Sequence, residues 1–156
     1  MQYIECKVKP VDVANYIANT AIKMNEPINH TRIQNILYVL YKAALKRGYE
    51  LFETDYINAF FAAPMGPRSQ DVRMYYAAWG EIPINRLVEK TPPMPDNLVH
   101  LFNYIVMDNV KKSPAEFLKD WKREGTAWQQ AYRKNENNLI LKSHIEHEIT
   151  IYPDKY

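Results

Sequence analysis

"HTRIQNILYVLYKAALKRG", His30 to Gly48, is the stretch whose reading decides the fold. Ile33, Ile36, Leu37, Leu40, Tyr41, Ala44 and Leu45 recur at steps of three and four, the spacing of one helix face. Arg32, Asn35, Lys42 and Lys46 lie off that stripe. Asn29 or Thr31 can cap the start, Lys46 and Arg47 suit the last turn, and Gly48 fits the left-handed position just beyond. The spacing predicts a central helix with Leu37 and Leu40 in the core.

Working towards the N-terminus, "NEPINH" interrupts the pattern, because Pro27 disfavours helix in the residue before it. Ahead of it, Ala14, Ile17, Ala18, Ala21 and Ile22 mark a helix from Pro10. "YIECKV" alternates weakly, so residues 1–10 read as a short strand or an extended arm.

Towards the C-terminus, "YINAFFAAPMGP" carries no helical stripe and reads as a short extended segment, then a turn. A helix is expected from Arg68 or Ser69, with Val72, Tyr75, Tyr76 and Trp79 on one face and Gly80 at its end. "INRLVEKTPPMPDN" is a polar, proline-rich connection. Asp96 or Asn97 can cap a further helix that turns Leu98, Leu101, Phe102, Ile105 and Val106 inward. Three capping boxes follow: Ser113 with Glu116, where Pro114 takes the first helical position; Thr126 with Gln129; and Ser143 with Glu146. The last opens a C-terminal helix that Pro153 should stop. The expected fold is mainly α, one compact domain of about six or seven helices with at most a small β element.

A chain of 156 residues with 47% apolar content can bury a core without staples. Cys6 is the single cysteine, which rules out an internal disulfide framework. No apolar run approaches the roughly 20 residues of a membrane span, and "MQYIECKVKP" lacks the order of a secretory signal. A soluble, cytoplasmic protein with no membrane partner is expected. The net charge of +2 does not by itself imply nucleic acid. Between Lys111 and Lys134, seven Lys and Arg face Glu116, Asp120 and Glu124, while Glu146, Glu148 and Asp154 make the C-terminal end acidic. Twelve tyrosines suit semi-exposed contact surfaces as well as core margins.

The chemical candidates are weak. A phosphate loop needs converging backbone N–H groups, but Gly66 stands alone and Pro64 and Pro67 have none. His144 and His147 could share a helix face, yet a third ligand and an HExxH pattern are missing, so a solvated mixed-charge helix is preferred. His30 reads as a helix-start residue, His100 as a core-edge residue, and Cys6 has no basic neighbour in sequence. No catalytic residue, metal or cofactor is expected. The basic segment interleaves its charges with Trp121, Trp128 and Tyr132, which could track phosphates and stack bases. Two amphipathic helices with inward aromatics are the preferred reading.

Taken in order, these stretches resemble the Panacea domain, the SocA-like antitoxin family that also includes phage-associated GepA-like proteins. The landmarks are Asp12-Val13-Ala14-Asn15-Tyr16-Ile17, Pro27-Ile28, the Ile33-to-Tyr38 helix, and Leu51-Phe52. They continue through Ala59-Phe60, Gly66-Pro67, Trp79-Gly80 and Pro83-Ile84 to Glu124-Gly125-Thr126-Ala127-Trp128. The likeness runs over residues 11–152. The chain departs from the family pattern at Asn35, Met65 and Ala127, and Trp121-Lys122 stand where the family tends to have Thr-His.

The resemblance implies a non-enzymatic antitoxin that neutralises a protein toxin by direct binding, encoded on a prophage or other mobile element. Gly66, Pro67, Trp79, Gly80 and Trp128 would be structural. Arg68, Arg73, Met74, Tyr75, Trp121 and Lys122 would belong to the partner surface. The alternatives are a nucleic-acid-binding accessory protein, using Lys111, Lys112, Lys119, Lys122, Arg123, Arg133 and Lys134, or a protein adaptor or phage anti-defence factor.

Overall fold

The computed structural model describes residues 2–56, 58–87, 92–153 and 155–156. Residues 88–91 of the proline-rich connection, Ile57 of the extended segment and Asp154 of the acidic end lie outside the described residues.

Strand β1 (Ile4–Val8) leads into α1 (Pro10–Lys23) and α2 (His30–Lys46), and β2 (Tyr49–Phe52) returns to pair with β1 in parallel. Residues 1–10 therefore include a paired strand. A hairpin follows, β3 (Phe60–Ala63) and β4 (Gly66–Ser69), which runs directly into α3 (Gln70–Tyr76). Four helices complete the chain: α4 (Asp96–Asn109), α5 (Pro114–Trp121), α6 (Ala127–Lys134) and α7 (Lys142–Ile151). The fold is mainly helical, with seven α-helices among the described residues and a larger β component than expected, in two small sheets.

Helix α2 is the axis of the molecule. Asn29 accepts a hydrogen bond from the Arg32 N–H at 3.0 Å, and Gly48 takes φ +84° just past the end. Ile33, Ile36, Leu37, Tyr38 and Leu40 are all fully buried, and α2 touches α1, α3, α4, α5, α7, β2 and β4. The buried apolar side chains of these elements join in one contiguous core.

Two polar residues of α2 are equally buried, Gln34 and Asn35. Asn35 was expected off the buried stripe; the correction follows from β4, which covers that side of the helix. Gln34 acts as a surrogate strand. Its Oε1 accepts from the Ser69 N–H at 2.8 Å and its Nε2 donates to the Ser69 carbonyl at 3.0 Å, so the outer edge of β4 is satisfied there by a side chain. Pro67, next along, has no N–H to satisfy.

The turn expected at Gly66-Pro67 is corrected to a strand, while the helix expected from Arg68 or Ser69 does start there, capped by Ser69. Ala63 pairs with Gly66, Ala62 with Pro67, Phe61 with Arg68 and Phe60 with Ser69, and the bend sits at Pro64-Met65. On its other side, β3 bonds to residues 137–140: the Ala62 N–H donates to the Asn138 carbonyl and the Ile140 N–H to the Phe60 carbonyl, both at 2.8 Å.

The Ser113–Glu116 capping box is formed in both directions. Thr126 caps α6, but Gln129 reaches one residue further back, accepting from the Gly125 N–H at 2.9 Å. The Ser143–Glu146 box is not used. Helix α7 begins earlier, with Asn58 Oδ1 accepting from the Lys142 N–H, and Glu146 instead accepts from the Tyr3 hydroxyl. A cap supplied from across the fold displaces the local one.

Candidate partner-binding face

Several sequence landmarks that are far apart in the chain meet in space. Ile28 and Ile84 form an isolated antiparallel bridge, with the Ile84 N–H on the Ile28 carbonyl at 2.8 Å and both side chains buried. Gly66 lies against Trp121: a Cβ placed on it would fall 2.5 Å from the indole ring. Its φ of +129° is a second reason why glycine suits the position. Trp128 Nε1 donates to the Ala63 carbonyl at 2.8 Å, closing the end of β3 against α6.

Trp121 is therefore a core residue and is withdrawn from the partner surface. It is 3% exposed, stacks on Phe117 at 5.6 Å and meets Tyr38 edge-on at 5.7 Å. Its neighbour Lys122 remains exposed, at the C-cap of α5. Arg68 is half-buried and structural. Its Nη1 donates to Asn35 Oδ1 and to the Pro67 carbonyl, each at 2.8 Å, and burial pushes its pKa down to about 10, which leaves it charged at neutral pH.

The remaining three residues share one short helix. Ser69 caps α3, accepting from the Val72 N–H at 3.4 Å, and Val72 and Tyr76 are fully buried. The Tyr76 hydroxyl donates to Asn15 Oδ1 at 2.6 Å, and burial raises its pKa. This inner side fixes the helix and turns Arg73, Met74 and Tyr75 outward. Met74 is 68% exposed and Tyr75 44%, so Tyr75 does not join the buried stripe expected for it. The Arg73 guanidinium lies 6.0 Å from the Phe61 ring centroid. Beyond the helix, Trp79 packs part-buried against the core with Arg86 over its ring at 5.8 Å, and Gly80 takes φ +54° in open space.

Behind α3, His30 stacks on Tyr76 with ring centroids 5.9 Å apart. Its Nε2 is 3.2 Å from Gln34 Nε2, whose amide orientation is set by Ser69, so the imidazole nitrogen must accept. Burial, then the charge of Arg68, holds the His30 pKa below its usual range, against a smaller opposing effect of Glu81.

The basic segment is largely paired within the molecule. Lys111 meets Glu26 at 3.3 Å, Lys112 meets Asp120 at 3.5 Å, and Arg133 meets Glu124 at 3.0 Å. Arg123 lies 4.1 Å from the Tyr152 ring centroid, Trp128 is buried, and Tyr132 stacks on Trp128. The aromatics of this segment pack against the core.

Glu148 corrects the expectation of a solvated C-terminal helix. It is fully buried, ion-paired with Lys42, and accepts from the Ala127 N–H at 2.7 Å, capping α6 from α7. His147 is exposed and His144 half-buried. Among the described residues, no group of three or more His, Cys, Asp and Glu is placed to hold a metal, and no helix is long and apolar enough to cross a membrane.

Gln34, Asn35 and His30 were not anticipated as the polar framework behind this face, nor was Glu148 as the buried cap of α6. The only local signal was a polar pair inside an otherwise apolar helix. Comparison with known proteins finds no matching family model, curated protein or solved structure.

Proposed function

We propose that this chain is a divergent Panacea-like antitoxin: a non-enzymatic cytoplasmic protein, encoded on a prophage or similar element, that neutralises a protein toxin by direct binding. The observation that carries the reading is the outer side of α3. Met74 and Tyr75 stand in solvent beside Arg73, on a helix locked in place by buried Val72 and Tyr76. Exposed methionine and tyrosine next to arginine is the composition of a protein-contact surface. The ordered landmarks add support, because several of the residues that carry the resemblance, Tyr38, Phe52 and Trp128, pack against the β3–β4 hairpin that holds Phe60 and Gly66-Pro67.

The test is co-expression with the product of the neighbouring gene. That product should arrest growth alone and be harmless beside this protein, and the two should co-purify. A harmless neighbour, or one that stays toxic and unbound, contradicts the proposal.

A further inference from the structure

A cavity of about 500 Å³ opens between α2, the end of α4, α5 and α7, away from the α3 face. That size falls within the roughly 300–1,000 Å³ of small-molecule pockets. Its floor is apolar: Val39 and Ala43 from α2, Phe117 and Trp121 from α5, and Ile149 from α7. Phe117 and Trp121 stack on each other beneath it and are buried, with the Lys112 ammonium 4.7 Å over the Phe117 ring, so the half-buried Val39 and Ile149 are the apolar side chains the floor presents.

The rim is cationic. Lys46, Lys111, Lys112 and Lys155 stand around it, with Asp108, Glu116 and Asp120 as its carboxylates. Each carboxylate is already engaged. Glu116 accepts from the Ser113 N–H and hydroxyl, Asp120 pairs with Lys112, and Asp108 takes Lys155 at 2.7 Å and the Tyr156 hydroxyl. Lys42, the innermost lysine, is matched by buried Glu148. Among the described residues, Lys111 pairs with Glu26, which does not line the cavity, and its side chain is 79% exposed.

Exposed ion pairs of this kind contribute little and exchange partners readily. The Asp108 carboxylate shows what the rim favours: Lys155 and Tyr156, helped by Lys112, hold its pKa below the ordinary range. We infer that the cavity binds a small organic anion, a carboxylate, sulfonate or phosphate monoester on an aromatic or short acyl body. The body lies against Val39 and Ile149, and the anionic group meets Lys111, Lys112 and Lys155.

The test compares two fluorescent probes of nearly equal shape, 8-anilinonaphthalene-1-sulfonate and its uncharged analogue N-phenyl-1-naphthylamine. The sulfonate should bind the folded protein saturably at one site, and octyl phosphate should displace it. The neutral analogue should bind about tenfold more weakly, the equivalent of one lost charge-assisted contact. Lys111→Ala with Lys155→Ala should weaken the sulfonate by a similar factor while leaving the near-ultraviolet dichroism intact. Val39→Phe, which fills the cavity from its half-buried wall, should abolish binding. Absence of saturable binding to the folded protein would overturn the inference. So would equal affinity for the neutral probe, or affinity unchanged in the lysine variant or in a folded Val39→Phe variant.

Discussion

Gly66 is confined twice over, by its positive φ and by the Trp121 ring 2.5 Å from where a Cβ would sit. Gly66→Val must therefore strain the backbone and push the indole out of a packed site. Strain and overpacking each cost about 1–3 kcal/mol, so a loss of about 2–6 kcal/mol is expected in urea unfolding. An unchanged midpoint would mean that the β4–α5 contact is not made. His30 gives a second prediction. Its pKa is lowered in the folded protein, so the unfolded chain binds more protons between that lowered value and about 6.5. Stability should fall as pH drops through this window, and the proton should also disrupt the Gln34–Ser69 clamp. The facing charges are Arg68 and Arg73, which oppose protonation, and Glu81, which favours it. In urea titrations, His30→Gln should show a smaller stability loss between pH 7 and pH 5 than the wild type does. Identical pH profiles would remove His30 as the cause.

Among the elements, α2 was the most legible, because its apolar spacing is set by burial on nearly every side. Leu37→Ala and Leu40→Ala should each cost about 2–5 kcal/mol through lost burial and a cavity. Two wild-type midpoints would mean that the helix presents another face. The β4 strand was illegible for a physical reason. Glycine and proline are depleted in strands, and here both are tolerated because Gly66 makes room for Trp121 and Pro67 removes a donor from the edge that Gln34 covers beside it. The start of α7 was misplaced because Asn58 supplies its cap from 84 positions away. Buried Glu148 was hidden likewise, since its partners, Lys42 and the Ala127 N–H, lie on other helices. Periodicity reports which side of a helix is apolar. It does not report which distant polar group will complete a backbone.

For the whole molecule, the candidate site was half legible. Arg73, Met74 and Tyr75 emerge on one exposed helix side, while Trp121 and Arg68 belong to the framework behind the hairpin. The central claim is that this exposed side contacts a toxin, and it predicts a separation of binding from folding. Arg73→Ala, Met74→Ala and Tyr75→Ala remove outward side chains from a helix that Val72 and Tyr76 still anchor, so thermal melts should stay close to wild type. The deciding measurement is the affinity of the purified neighbouring gene product for the wild-type protein and for the triple variant. The account predicts a folded triple variant whose binding is weaker by about 2 kcal/mol or more, roughly thirtyfold. Native-like binding by that folded triple variant would contradict it and place the contact surface elsewhere on the molecule.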